Sequence, residues 1–263
     1  CTLQGEDSFL DDLPEPYREK SWAMFRERTR ELDGLIAVSD YFRDLMKKRL
    51  EVPDDQIHLV YNGIALDDFK PRSALPDPPV IGFMARLCRT KGLETLIDAF
   101  LRLRKDHPTL RLHAAGAMTP GDEKFMKAMR EKLDRAGVSD DVTFSPNISR
   151  DDKIEFLRGL TVLSVPASYG EGFGLYVLEA LASGVPVVQP NHAAFPELIE
   201  ATSGGLLCEP ENPASLAEHL ATLLDDSEKN RQLGERGREA VTEKFSVRSM
   251  AEQVLRVYQT CLS

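Results

Sequence analysis

Val162-Leu-Ser-Val-Pro-Ala-Ser-Tyr-Gly-Glu-Gly-Phe-Gly-Leu-Tyr-Val-Leu-Glu-Ala-Leu-Ala-Ser-Gly-Val-Pro-Val-Val188 is the stretch that decides how this chain folds. Its start, Val162 to Val165, is an apolar run of strand length. A turn with Gly170, Gly172 and Gly174 follows, then an amphipathic helix predicted from Phe173 to Ser183, then a second apolar run from Val185 to Gln189. A strand, a helix and a strand in succession form a crossover unit, whose strands are parallel and covered on both faces.

The same alternation extends outward. Upstream, the pattern predicts strands at Val80–Ala85, Leu110–Ala115 and Val142–Phe144. Between them it predicts helices at Gly92–Lys105, with Leu93, Leu96, Ile97 and Phe100 on one face, then Asp122–Ala136 and Asp151–Leu157. Downstream it predicts a short helix at Pro196–Glu200 and three tail helices, the first opened by Asn212 as cap and Pro213 in the first turn. The fold class is therefore α/β, a Rossmann-like doubly wound parallel sheet, which binds ligands at the carboxyl ends of its strands. The segment from Pro71 to Pro79, with four prolines, continues neither helix nor central strand and marks a domain boundary. Before it stand strands at Gly34–Val38 and Ile57–Val60, with Ser39 capping a helix from Asp40 to Leu50. Cys1 to Gln4 reads as the end of a strand, as in a fragment lacking upstream sequence.

The 263 residues are 42% apolar and 29% charged, an ordinary globular composition. A net charge of −10 opposes nucleic acid as a partner. Cys1, Cys88, Cys208 and Cys261 form no CxxC pair, which argues against zinc and suits a reducing cytosol. The richest apolar stretch, Thr161 to Val165, is too short to span a bilayer. The expected location is the cytoplasm, with peripheral attachment to the inner membrane face as the alternative. Lys47, Lys48 and Arg49 read as a solvated helix end, or else as a membrane-facing patch.

Glu171 precedes the helix of the opening stretch, and Glu179 lies eight residues on, about 12 Å along a helix axis. The glycines allow close approach of backbone to a ligand, and the helix start favours a diphosphate. A carboxylate at each end of that span suits the hydroxyls of a sugar and of a ribose. The plain alternative is a glycine-rich turn with two ordinary glutamates. His58, His107, His113, His192 and His219 form no ligand cluster; His113 is expected to pack, as is Trp22, while His192 follows a strand end near the site.

Glu171-Gly-Phe-Gly-x4-Glu179-Ala-x-Ala-x-Gly-x-Pro-Val-Val188 resembles the Glu-x7-Glu motif of the family 4 retaining glycosyltransferases, which have the GT-B fold. Ala85-Arg86-Leu-Cys-Arg-Thr-Lys91-Gly92 is similar to that family's Gly-Arg-Leu-x3-Lys-Gly element. The resemblance implies that Glu171 lies by the donor sugar and Glu179 binds the ribose. It implies that the turn Gly172, Phe173, Gly174 and Leu175 binds phosphate and that Arg86 and Lys91 hold the diphosphate. The loop Phe144 to Ser149, with Asn147 and Ile148, corresponds to the base-contacting loop. Asn62-Gly63-Ile64 and Phe195-Pro196-Glu197 match weaker elements. Departures from the pattern include Ala65, Pro146 and Gln4, where the family has Asp, Gly and His.

The implied protein is a retaining hexosyltransferase with Glu171, Arg86 and Lys91 catalytic, using a UDP-, GDP- or ADP-sugar. Attack would be front-face, with no obligatory metal, because cations take its place. The acceptor would be a hydroxyl of a glycan, lipid or small molecule. Residues 1–70 are expected to be the remnant of an acceptor domain with the linker, 71–245 the donor domain, and 246–263 a helix packing back toward the N-terminal part. The missing N-terminal domain would then be needed for transfer. Two other readings are a non-catalytic nucleotide-sugar binding module and a dinucleotide oxidoreductase. Against the latter, Gly82-Phe-Met-Ala-Arg stands where GxGxxG would be.

Overall fold

The alternating pattern becomes two parallel sheets in the computed structural model, which describes residues 1–262. The first is built from β1 (Thr2–Leu3), β2 (Leu35–Ala37) and β3 (Ile57–Leu59), adjacent in that order. Between them run α1 (Glu6–Asp11), α2 (Tyr17–Thr29) and α3 (Asp40–Leu50). The Ser39 hydroxyl caps α3 by accepting from the Phe42 amide. Phe42, Met46 and Leu50 recur every four residues and form its buried stripe. Trp22 is buried as expected, with its Nε1 donating to Asp11 at 3.1 Å. The end of α3 is not simply solvated: Arg49 pairs with Asp11 at 2.5 Å and lies 4.9 Å over the Trp22 ring.

The second sheet comprises β4 (Val80–Met84), β5 (Arg111–Gly116), β6 (Val142–Pro146), β7 (Val162–Leu163), β8 (Val187–Pro190) and β9 (Gly205–Cys208). Its order is β6-β5-β4-β7-β8-β9, all parallel. The crossovers are α4 (Leu93–Leu103), α5 (Glu123–Ala136), α6 (Arg150–Arg158), α7 (Leu175–Ala182) and α8 (Phe195–Thr202). Then follow α9 (Pro213–Asp225), α10 (Ser227–Lys244) and α11 (Val247–Leu262). One core layer joins Ile81 and Phe83 of β4 to α4 and α9; the other joins Leu163 and Val187 to α7 and continues into Phe42 and Met46 of α3. Burying a side chain as large as Phe83 stabilises by about 2–3 kcal/mol relative to exposure. The strand order reverses between β4 and β7, so the loops leaving their carboxyl ends diverge around one crevice.

Beyond shifts of a residue or two at other element ends, such as β7 stopping at Leu163 and not Val165, these details differ from expectation. α7 begins at Leu175, two residues late, because Gly174 takes a φ of 91° and turns the chain before the helix can start. α8 is longer than Pro196–Glu200. β9 was not anticipated: Gly205, Leu206 and Leu207 are only half-buried at the sheet edge, and Gly204-Gly205 masks the strand pattern.

The proline-rich linker is pinned where Arg72 donates to the carbonyls of Leu160 (2.8 Å) and Thr161 (2.9 Å); burial brings its pKa down to about 10. The chain passes back toward the first sheet beside the linker. Ile64 N donates to Phe245 O at 2.9 Å, and Val247 N donates to Ile64 O at 3.1 Å. Gly63 N also meets Met250 Sδ of α11 at 3.3 Å. Among the described residues no helix is long and apolar enough to cross a membrane.

Candidate active site at the switch point

The loop after β4 is held by backbone bonds from Ala85 to Ala115 (3.2 Å) and Leu87 to Ala117 (2.8 Å), with the Leu87 side chain fully buried. Arg86 between them is turned outward. Its Nε and Nη2 reach the two oxygens of Asp122 at 3.1 and 3.0 Å, and Nη2 reaches Thr119 Oγ1 at 3.2 Å. Asp122 itself is buried and also accepts from the Thr119 amide and hydroxyl, at 2.8 and 2.7 Å. The Arg86 guanidinium is the main reason that the Asp122 pKa lies at about 2.

The far end of this loop meets the segment leaving β7. Gly92 has a φ of 80°, and a Cβ there would lie 1.9 Å from Pro166 O; Ser168 N donates to Thr90 O at 3.0 Å. This contact brings Lys91 to Glu171, Nζ to Oε2, at 2.7 Å. Lys91 Nζ also donates to the Tyr169 hydroxyl and lies 4.7 Å from the Tyr169 ring centroid and 5.9 Å from that of Tyr176. Both tyrosine hydroxyls donate to the same Glu171 oxygen, at 3.0 and 3.1 Å. Burial, then the Glu171 charge, raises both tyrosine pKa values, so the hydroxyls stay protonated.

Arg86 and Lys91 share a cavity of about 480 Å³ with Cys88, Tyr169 and Gly170, closed on the other side by Tyr41 of α3 and Asp7 of α1. A neighbouring cavity of about 560 Å³ is lined by Asn147, Ile148, Arg150 and Lys153. Lys153 Nζ lies 2.5 Å from Glu179 Oε1. The two acids of the motif are thus each held by a lysine, one per cavity. Asn147, at a φ of 54°, bonds the Met118 amide through its Oδ1 at 3.1 Å.

The turn into α7 divides its roles. The Phe173 side chain faces away into an aromatic group with Tyr61 (6.2 Å) and Phe245 (6.4 Å). Gly172 O accepts from Ser39 Oγ at 2.6 Å. Leu175 is exposed, and no side chain caps the helix start, whose polarity favours an anion. His192 Nε2 donates to Ala167 O at 2.8 Å, and His113 packs edge-on against Phe156 while bonding Ser145. A larger apolar hollow of about 630 Å³, lined by Phe9, Leu10, Met24 and Phe25, contains none of the expected site residues. Among the described residues no group of three or more His, Cys, Asp or Glu could hold a metal ion.

Sequence reasoning missed Tyr169, Tyr176, Lys153 and Asp122. The tyrosines stood in plain view beside Glu171, as hydroxyls on an otherwise apolar turn and helix. Lys153 and Asp122 act on partners 26 and 36 residues away, and no local pattern marks them.

The family description "Glycosyl transferases group 1" matches residues 67–240, and "Glycosyltransferase Family 4" matches residues 2–68. The chain is 30% identical over 263 residues to alpha-maltose-1-phosphate synthase of Mycolicibacterium smegmatis, covering 92% of this chain and 67% of that one. It is 28% identical over 243 residues to the MMP alpha-(1->4)-mannosyltransferase of Mycolicibacterium hassiacum, covering 91% of this chain and 57% of that one. The chain thus spans roughly three fifths of the length of such curated relatives. Among solved structures, sucrose-phosphate synthase from Thermosynechococcus elongatus aligns with a TM-score of 0.82 at 25% identity, over 93% of this chain and 62% of that one. Anabaena HepE, solved with UDP and glucose, aligns with a TM-score of 0.81 at 20% identity, over 90% and 66%. With a family match over well more than half its length and a parallel-sheet architecture shared with GT-B enzymes, the chain belongs to the group 1 glycosyl transferases.

Proposed function

We propose that this chain carries the donor site of a retaining glycosyltransferase that moves a hexosyl group from a nucleotide-diphosphate sugar to an acceptor hydroxyl. The observation that carries the reading is the Lys91–Glu171 pair at the switch point, with Arg86 on the same cavity. Glu171 addresses the hydroxyls of the donor sugar, and Glu179 those of the ribose. Arg86, Lys91 and the uncapped start of α7 stabilise the diphosphate as its bond to the sugar breaks. These fixed positive groups do the work that a metal would otherwise do. The acceptor oxygen attacks from the face that the diphosphate leaves, which retains configuration, and its proton passes to the departing diphosphate. A glycan, lipid or small-molecule acceptor suits this chemistry.

In the same reading, residues 71–245 form the donor domain, residues 1–70 belong to an acceptor domain with its linker, and 246–263 pack back on the N-terminal part. The curated relatives run well beyond the matched part, so donor binding is assigned to these residues and transfer to the whole protein. The UDP seen in HepE supports a uridine nucleotide as the first probe. The free cysteines fit a reducing cytoplasm as the location.

A thermal-shift screen of UDP, GDP, ADP and their sugar esters tests the proposal. One nucleotide series should stabilise the chain selectively, by about 2.7 kcal/mol at a hundredfold excess over Kd. If none does, the donor-site reading is wrong.

A further inference from the structure

Glu171 is held in an unequal way. Its Oε2 accepts from three donors: Lys91 Nζ (2.7 Å), Tyr169 OH (3.0 Å) and Tyr176 OH (3.1 Å). Among the described residues its Oε1 has no protein partner. The donors come from three places: the loop after β4, the turn before α7, and the first turn of α7 itself. The tyrosines are fixed in turn. Tyr176 packs 6.5 Å from the Phe195 ring, and both rings lie beside the Lys91 ammonium.

Three donors on one oxygen satisfy its lone pairs and fix the carboxylate plane, while the second oxygen is left for another hydroxyl. We propose that Tyr169 and Tyr176 are positioning residues that, with Lys91, lock one oxygen of Glu171 so that the other alone addresses the donor sugar. The proposal rests on the reading of Glu171 as the sugar contact. It also assigns the tyrosines a function that their rings could not perform. Both hydroxyls orient Glu171 and the aromatic faces hold Lys91, but the Tyr169 hydroxyl also accepts from Lys91 Nζ. Tyr176→Phe therefore removes only the bond to Glu171, whereas Tyr169→Phe removes a Lys91 contact as well. Neither hydroxyl acts as nucleophile or base, because burial beside Glu171 keeps both protonated.

Because Glu171 faces the sugar and not the nucleotide, losing its orientation should weaken a nucleotide sugar but spare the bare nucleotide. Calorimetric titration of the chain with UDP and UDP-glucose separates the two, with the GDP and ADP pairs used if one of those is the series that stabilises the wild type. Tyr176→Phe should weaken the nucleotide sugar about three- to tenfold, as for a lost hydrogen bond to a charged group, and leave the bare nucleotide within about twofold; Tyr169→Phe should weaken the nucleotide sugar at least as much and the bare nucleotide to a smaller extent. In a Glu171→Ala background Tyr176→Phe should not weaken the sugar ester further, since the group being oriented is gone. For Tyr176→Phe, equal loss for both ligands, no loss for either, or a full effect that persists beside Glu171→Ala overturns the proposal. A wild-type chain that binds no nucleotide at all would overturn the donor-site reading, and this inference with it. Unfolding temperatures of the variants within a few degrees of wild type exclude misfolding as the cause.

Discussion

The Ser39 hydroxyl donates a 2.6 Å hydrogen bond to the carbonyl oxygen of Gly172. One fully buried side chain therefore both caps α3, by accepting from Phe42 N at 3.0 Å, and ties that helix to the turn between the two motif acids. Glu197 of α8 reinforces the join, accepting from the amides of Asp40 (2.8 Å) and Tyr41 (3.1 Å). Ser39→Ala removes the cap, worth about 1 kcal/mol, and takes a donor from a half-buried carbonyl, for a total loss of about 1–2 kcal/mol. Urea denaturation of wild type and variant checks this; a change under about 0.5 kcal/mol would show that the contact carries no stability.

Asp122 holds Arg86 by both of its oxygens while also accepting twice from Thr119. Asp122→Ala should release Arg86 into solvent, weakening nucleotide diphosphate binding about three- to tenfold. It should also alter acid stability. The folded carboxyl, at about 2, is below its unfolded value of about 3.9, so the wild type has the full benefit of this group above pH 4 and loses it as pH falls toward 2. The stability gap between wild type and variant should narrow over that interval. Acid titration followed by circular dichroism measures it.

Lys153 and Glu179 form a pair whose side chains are 27% and 16% exposed, sheltered enough for the loss of either partner to matter. Glu179→Ala should weaken nucleotide binding about tenfold, and Lys153→Ala by less. The double variant should be no worse than Glu179→Ala, giving a coupling of about 0.5 kcal/mol or more in a double-mutant cycle. Unchanged affinity in both single variants would remove Glu179 from the ribose role.

Gly92→Ala would place a methyl against the Pro166 carbonyl in a backbone conformation that disfavours any side chain. The expected cost is above about 2 kcal/mol. Because Gly92 joins Lys91 to α4, nucleotide affinity should fall together with the unfolding midpoint. A variant as stable as wild type would mean that the loop re-forms elsewhere.

The doubly wound architecture was legible because α4 and its neighbours carry strong single-face apolar patterns between short apolar strands, a signal local to each segment. Glu171, Lys91 and Arg86 were singled out by the family resemblance, and their place after strands is where such a sheet binds ligands. Other parts were written across distance. β9 draws its pairing from β8, and α2 shows almost no apolar stripe because only Trp22 and Thr29 are buried along it. Tyr169 and Tyr176 were visible as residues, but their convergence on one carboxylate oxygen depends on how far Gly174 turns the chain before α7 begins.

The polypeptide crosses between the two sheets at two adjacent points, near Ile64 and near Ser246, and these are bonded to each other. Two connections fastened side by side behave like a door on two pins, not like a ball on a string. Swivelling of one sheet against the other would shear the bonds from Ile64 to Phe245 and Val247. Bending about the line between the crossings would leave them intact. Any opening of the cavity between Arg86 and Asp7 would turn about that line, and would also have to part Ser39 from Gly172.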